Sequence, residues 1–299
     1  RNRVGERWKH KATPAKAGVL QRAGRGPLFG GRLRAPVQGE LMEEQIITAY
    51  LCFWLAVFGA VLGSFLDCAA SRWASGERMF AGRSRCAACG HTLGAGDLVP
   101  VFSFLLRRGK CVYCGERIPP DCLWAELGGA AALLCVGHRF GWSLALGQWL
   151  MFAAVLLALS LADAHRRVLP GRLLAVLTVN RAVWLLLLRE DLKAVALSAL
   201  AACAVPAGLL ALVLLAEKIA GREVMGGGDI KLLFALALYL TWAQLLLALL
   251  AGCLAGLAWA ALAGSRRGTA VAFGPFLAAG ALYAVCWGDP LIQWYFGLF

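Results

Sequence analysis

Residues 195–216, "VALSALAACAVPAGLLALVLLA", form an uncharged run of 22 residues. Wound as an α-helix it rises about 33 Å, enough to cross a hydrocarbon core of roughly 30 Å. A chain carrying such runs has few folds open to it. In lipid the backbone must satisfy its own hydrogen bonds, and an open sheet edge cannot. Similar runs cover 46–66, 144–162 and 271–287, and a shorter Gly/Ala-rich one covers 123–137. A fourth-span candidate at 173–188 is interrupted by Asn180 and Arg181. The stretch 232–263 is apolar apart from "YLTWAQ" at 239–244. It is long enough for two tightly joined spans, or for one span and a re-entrant piece. The pattern predicts an all-α polytopic membrane protein of about eight transmembrane helices, with seven as the alternative. Composition agrees: 60% of residues are hydrophobic and 16% are charged, against about 25% charged in soluble domains.

The net charge of +13 falls in loops and forms no lone stripe for nucleic acid. The loop after span one carries eight basic residues, from Arg72 to Arg117. Those after spans three, five and seven carry Arg166, Arg167 and Arg172, then Lys218, Arg222 and Lys231, then Arg266 and Arg267. The intervening turns are poorer in charge, which places the odd-numbered loops in the cytosol. Residues 1–41 hold ten Lys/Arg, no initiating Met and no apolar h-region of a signal peptide. They read as a basic, disordered tail or a mis-assigned start, with Met42 as the sensible beginning. The expected organisation is a tail at 1–41, a first transmembrane helix at 42–66, a cytosolic cysteine-bearing module at 67–122 and a transmembrane core at 123–299.

Four of the eleven cysteines come as two C-x-x-C knuckles, "CAAC" at 86–89 and "CVYC" at 111–114. The spacing of Cys86, Cys89, Cys111 and Cys114 fits a tetrahedral four-thiolate zinc site. Gly90 and Gly115 follow the knuckles and can turn backbone N–H groups toward sulfur. Arg85 and Lys110 favour thiolate. Four thiolates leave no open coordination position, so the zinc would be structural. A redox dithiol pair and a metal-free loop are the alternatives. The remaining cysteines read as small packing residues.

Acidic residues near a membrane are costly and therefore informative. Asp163 ends span three in "LADAHRRVLPG", and Asp229 opens span six in "GGGDIK". Both fall at the predicted cytosolic surface, 66 residues apart in sequence. The bland reading pairs Asp163 with His165 or Arg166 and makes Asp229 a helix N-cap. Capping does not require Gly226, Gly227 and Gly228, which permit a kinked backbone and close approach. Two carboxyls brought together share a proton. One then takes a proton from water while the other polarises a carbonyl, which is amide hydrolysis without metal or covalent intermediate. No Ser or Cys nucleophile stands out, and none of the four histidines forms H-E-x-x-H. Glu126 is a third acid near a membrane face, suited to a cationic substrate group, a helix N-terminus or span anchoring.

In combination and order, these motifs resemble the type IV prepilin peptidases, the bifunctional leader peptidase and N-methyltransferase of the bacterial inner membrane. The likeness runs from about Met42 to Phe299. Its marks are "GSFLDCAASR" from Gly63 to Arg72, the two knuckles, Glu126, Asp163 ahead of "VLPG", "GGGDIKL" with Asp229 and Lys231, and Phe273-Gly274-Pro275-Phe276. The resemblance implies Asp163 and Asp229 as catalytic residues. Gly226, Gly227, Gly228, Lys231, Glu126, Asp67 and Arg72 are implied as supporting or substrate-binding. It also implies prepilins or pseudopilins as substrates, cut after a glycine at the cytosolic end of a basic leader. S-adenosylmethionine would be the methyl donor for the new N-terminus. Three departures stand beside the elements associated with methylation and loop geometry. Asp67 replaces Asn, Gly171 replaces Asp, and Cys122-Leu123 replace Tyr-Pro.

Two other classes compete. A transporter or channel would bind a cation through its aspartates, but it would show an internal repeat and mid-bilayer polar groups; Arg181 is the one charge in its favour. A zinc-knuckle assembly factor explains the cysteines and leaves the glycine-rich aspartate unused. A degenerate, inactive peptidase is a further alternative.

Overall fold

The computed structural model describes residues 38–78, 82–221, 225–262 and 272–298. The N-terminal tail up to residue 37 and the basic residues Arg222, Arg266 and Arg267 lie outside the described residues. Contacts divide the chain into Arg1–Glu43 and Glu44–Phe299, and the second unit holds every contact discussed below. Its elements are helical: α1 Gln38–Ala74, α2 Phe102–Leu106, α3 Asp121–Phe140, α4 Leu144–Arg166, α5 Gly171–Leu187, α6 Leu192–Ala220, α7 Gly227–Leu236, α8 Trp242–Leu262 and α9 Gly274–Phe296.

Every predicted span is helical, but the expected count of eight is not met. Among the described residues, five helices are long and apolar enough to cross a membrane: α1 from Gln45, α4, α6, α8 and α9. The other three fall short for different reasons. α3 carries Asp121, Glu126, His138 and Arg139 within its 20 residues. α5 has 17 residues, a rise of about 26 Å. α7 has 10 residues and rises about 15 Å, half of a hydrocarbon core. The chain leaves helix geometry after Leu236 and turns through "YLT" into α8, so the polar interruption at 239–244 is where the long apolar run breaks.

Local chemistry sets the ends. Asp191 caps α6 by accepting from the Lys193 N–H at 3.0 Å. Gly221 ends α6 in the left-handed region at φ 65°. Pro275 stands in the first turn of α9, where a missing N–H costs nothing.

Glycine seams decide which helices touch. A Cβ added to Gly63 would lie 2.1 Å from the Ala125 carbonyl oxygen, and one on Gly129 2.2 Å from that of Gly59. α1 and α3 therefore meet backbone to backbone, with Leu51 and Leu55 packed on Leu133 and Val136. α8 and α9 pair in the same way at Gly252 and Gly280, the latter against the Ala248 carbonyl. The main core lies among α4, α7 and α9, where Phe152, Leu156, Leu159, Leu232, Leu233, Leu236 and Leu277 are fully buried.

Candidate active site

The packing of α4, α7 and α9 brings Asp163, Asp229 and Gly274 to one end of the bundle. Asp163 lies in the last turn of α4, buried at 6% exposure. Its Oδ2 accepts a 2.8 Å hydrogen bond from the backbone N–H of Gly274, the first residue of α9. Asp229 lies in the first turn of α7, half-buried, where the free N–H groups of a helix favour negative charge. Its backbone N–H donates to Gly226 at 3.1 Å. Gly226, not Asp229, is the N-cap, which corrects the capping alternative.

The three glycines divide their work. Gly228 is where a neighbour comes close: a Cβ there would stand 3.2 Å from the Leu169 side chain, six residues past Asp163. Gly226 is extended at φ −65°. Gly227 is exposed, with nothing within 4 Å of a would-be Cβ, leaving backbone open beside Asp229. Lys231 is exposed.

The partners expected for Asp163 turn elsewhere. His165 Nε2 is 2.8 Å from Asp67 Oδ1 on α1. Arg166 donates to the Ala74 carbonyl at 2.7 Å and lies over the Trp73 ring. Both tie the end of α4 to the end of α1 and leave the Asp163 carboxyl to the Gly274 N–H. Gly274 and His165 were absent from the sequence-derived site. Gly274 acts through a backbone N–H, and its trace in the sequence is the Phe273-Gly274-Pro275-Phe276 motif, which marks the resemblance without giving the glycine a role.

Glu126 is buried at 7% exposure and accepts from the Val101 N–H at 2.7 Å. Val101 is the N-cap position of α2 at φ 63°, so of the three roles considered for Glu126, the helix N-terminus is the one realised. Arg72 donates to the Gly82 and Arg83 carbonyls at 3.4 and 3.1 Å, pinning the start of the cysteine module to α1.

The module itself is two copies of one turn. Cys86 N–H donates to His91 and Gly90 N–H to Cys86; Cys111 N–H donates to Glu116 and Gly115 N–H to Cys111, all at 2.9 Å. Gly90 and Gly115 sit at φ 71° and 74°, the left-handed conformation that glycine allows. His91 and Tyr113 stack at 3.6 Å between the turns. The four sulfurs lie within 4.8 Å of one another, and Cys86 and Cys114 are 3.9 Å apart. Tetrahedral zinc with bonds of about 2.3 Å requires sulfurs roughly 3.8 Å apart, so the cluster fits that metal, and none of the cysteines is disulfide-bonded. The backbone N–H groups of Cys89 and Ala88 bring the Cys86 thiol down to about 7, toward the thiolate a metal takes. Asp97 braces the module, held below the usual carboxylate range by the Gly94 N–H and then by Arg107.

Known proteins match in the same two parts. Residues 57–140 match the Bacterial Peptidase A24 N-terminal domain, and residues 150–261 match the Type IV leader peptidase family. The prepilin leader peptidase/N-methyltransferase of Bacillus subtilis is 34% identical over 81% of this chain and 96% of its own length. Proteins of the same description from Pseudomonas putida and Stutzerimonas stutzeri are 35% and 31% identical, over 70% and 86% of this chain and 73% and 96% of theirs. No solved structure matches the chain.

Proposed function

Because the chain belongs to the type IV leader peptidase family, we propose that Asp163 and Asp229 are the catalytic pair of an endopeptidase that removes the basic leader from prepilins or pseudopilins. The observation that carries this is that both carboxyls lie at the same end of the bundle, Asp163 in the last turn of α4 and Asp229 in the first turn of α7, where Gly228 packs against Leu169. With one Asp163 oxygen held by Gly274, the other is left for water. The ionised carboxyl takes a proton from that water as its oxygen bonds to the scissile carbonyl carbon. The protonated carboxyl gives its proton to the carbonyl oxygen. Collapse breaks the C–N bond and passes a proton to the leaving amine.

The relatives' name couples this activity to N-methylation, and the freed amine is the natural acceptor. A cavity of about 370 Å³ lies between α1 and the cysteine module, lined by Phe65, Cys68, Arg72, Ser84, Leu98 and Pro100. That is within the size range of small-molecule sites, and we assign it to the methyl donor, S-adenosylmethionine, which would supply an electrophilic methyl group. The four cysteines would hold zinc as a structural clip. Residues Gly226, Gly227 and Gly228 keep the approach to Asp229 open; Asp67, Glu126 and Arg72 hold α1 and the module beside it.

The basic loops support a position for the module and the aspartates at the cytosolic face of a bacterial inner membrane. α3 and α5 complete the bundle at membrane depth, and α7 enters it from the cytosolic side and is followed by the turn that carries the chain to the far end, where Gln244 meets Asp289. Co-expression with a candidate prepilin, followed by mass measurement of its N-terminus, tests cleavage and methylation together. Wild type yields the shortened, methylated chain. Asp163→Asn and Asp229→Asn leave the precursor intact in the membrane, and full processing by either variant overturns the pair.

A further inference from the structure

Asn180 and Arg181 interrupt α5 with polar groups that the peptidase chemistry does not use. Their partners lie at the far end of α7 from Asp229. Arg181 Nε donates to the Leu238 carbonyl at 3.0 Å, just beyond the last turn of α7. Its two terminal nitrogens reach Glu190 at 3.1 and 2.9 Å. The Tyr239 hydroxyl donates to the Leu177 carbonyl at 2.6 Å and accepts from Asn180 Nδ2 at 2.9 Å. Asn180 Nδ2 also lies 3.3 Å from the Gln148 carbonyl on α4. The Tyr239 ring packs on Phe152, 4.7 Å between centroids.

A helix of about 15 Å that enters the bundle from one face ends inside it; its last carbonyls, among them Leu233, Ala235 and Leu236, accept from the N–H groups of the turn that follows, and that turn presents the Leu238 carbonyl to α5. Away from water an unpaired carbonyl costs several kcal/mol. The guanidinium of Arg181, neutralised by Glu190, donates to that carbonyl, and Tyr239 fastens the same turn to α5. A charge pair taken even partly out of water is a costly way to hold a helix end unless its position matters. We infer that Arg181 and Tyr239 are positioning residues: by anchoring the outer end of α7 to α5, they set how far its inner end, and Asp229, reaches toward Asp163. This rests on the proposed peptidase reading.

Tyr239→Phe, and Arg181→Met combined with Glu190→Gln to leave no unpaired acid, test it. In purified protein of unchanged metal content, kcat for leader removal falls tenfold or more, since a misplacement of about 1 Å can cost about 100-fold. KM and methylation of a pre-cleaved peptide stay within twofold, and Arg181→Lys recovers most of kcat. Unchanged kcat, or kcat, KM and methylation falling in parallel, overturns the inference. A readout independent of activity separates this from failure of the peptidase reading. Asp163→Cys and Asp229→Cys are joined by a short thiol crosslinker, each single variant serving as background. The yield falls several-fold when Arg181 and Glu190 are also replaced; an unchanged yield rejects the positioning role whether or not the protein cleaves prepilins.

Discussion

The oxygen of Asp163 that accepts from Gly274 leaves no room for a side chain at residue 274. A Cβ there would stand 2.8 Å from Oδ2 and 3.0 Å from the Asp163 Cβ, and Asp163 is too buried to step aside. Gly274→Ala is therefore expected to lower kcat for leader removal about 100-fold, the scale of a 1 Å misplacement. Circular dichroism should show α9 intact; near-normal cleavage would contradict the contact. The two aspartates were legible in the sequence because acids are rare at span ends. The partners of Asp163 were not. Residues two apart on a helix point to different sides, so His165 cannot turn back to Asp163 and meets Asp67 instead. Asp67 stands where the family pattern has Asn, and an amide oxygen can still accept from the imidazole. Asp67→Asn should keep cleavage within about threefold of wild type, whereas Asp67→Leu, which leaves His165 without an acceptor, should destabilise by about 1–3 kcal/mol; thermal melts in detergent compare the two.

At the scale of elements, the sequence marked every helix of the bundle but not the length of α7. Hydropathy marked the interruption "YLTWAQ" at 239–244; it did not report that the helix already ends at Leu236, before the polar residues begin. The turn between them is held by Asn180 and Arg181 of α5, 50 or more residues upstream, which no local pattern contains. The seam between α1 and α3 was equally hidden, since Gly59, Gly63 and Gly129 matter only through the backbone they face. Gly129→Leu forces that seam open and is expected to destabilise by about 1–3 kcal/mol, the usual cost of overpacking. Thermal melts monitored beside zinc content should show the melting point fall while the metal stays bound. The cysteine module was legible because its spacing carries the geometry directly. Cys86→Ser or Cys111→Ser should reduce zinc from about one per chain to well below it, measured by metal analysis of purified protein. Wild type without stoichiometric zinc would rule out the structural metal.

The whole molecule is one-sided. Asp163, Asp229, Gly274 and the Asp67–His165 pair gather at one end, and the module is tied to the same end through Arg72 and Glu126. At the other end, Arg139 and Gln244 meet Asp289 at 3.3 and 2.6 Å, joining α3, α8 and α9 where the loops are poor in basic residues. A peptidase that cuts cytosolic leaders needs the first end inward, and the distribution of Arg and Lys favours the same. The two ends can be told apart by exposed positions. Leu106 in the module is 83% exposed, and Trp142 in the turn between α3 and α4 is 69% exposed. With Leu106→Cys and Trp142→Cys made separately, a membrane-impermeant thiol reagent should add label to Trp142→Cys in intact spheroplasts. It should add label to Leu106→Cys only in inverted vesicles, each measured above the wild-type background of native cysteines. The reverse pattern would turn the active end outward, away from any leader still in the cytosol, and the cleavage proposed for Asp163 and Asp229 would then have no substrate on their side of the membrane.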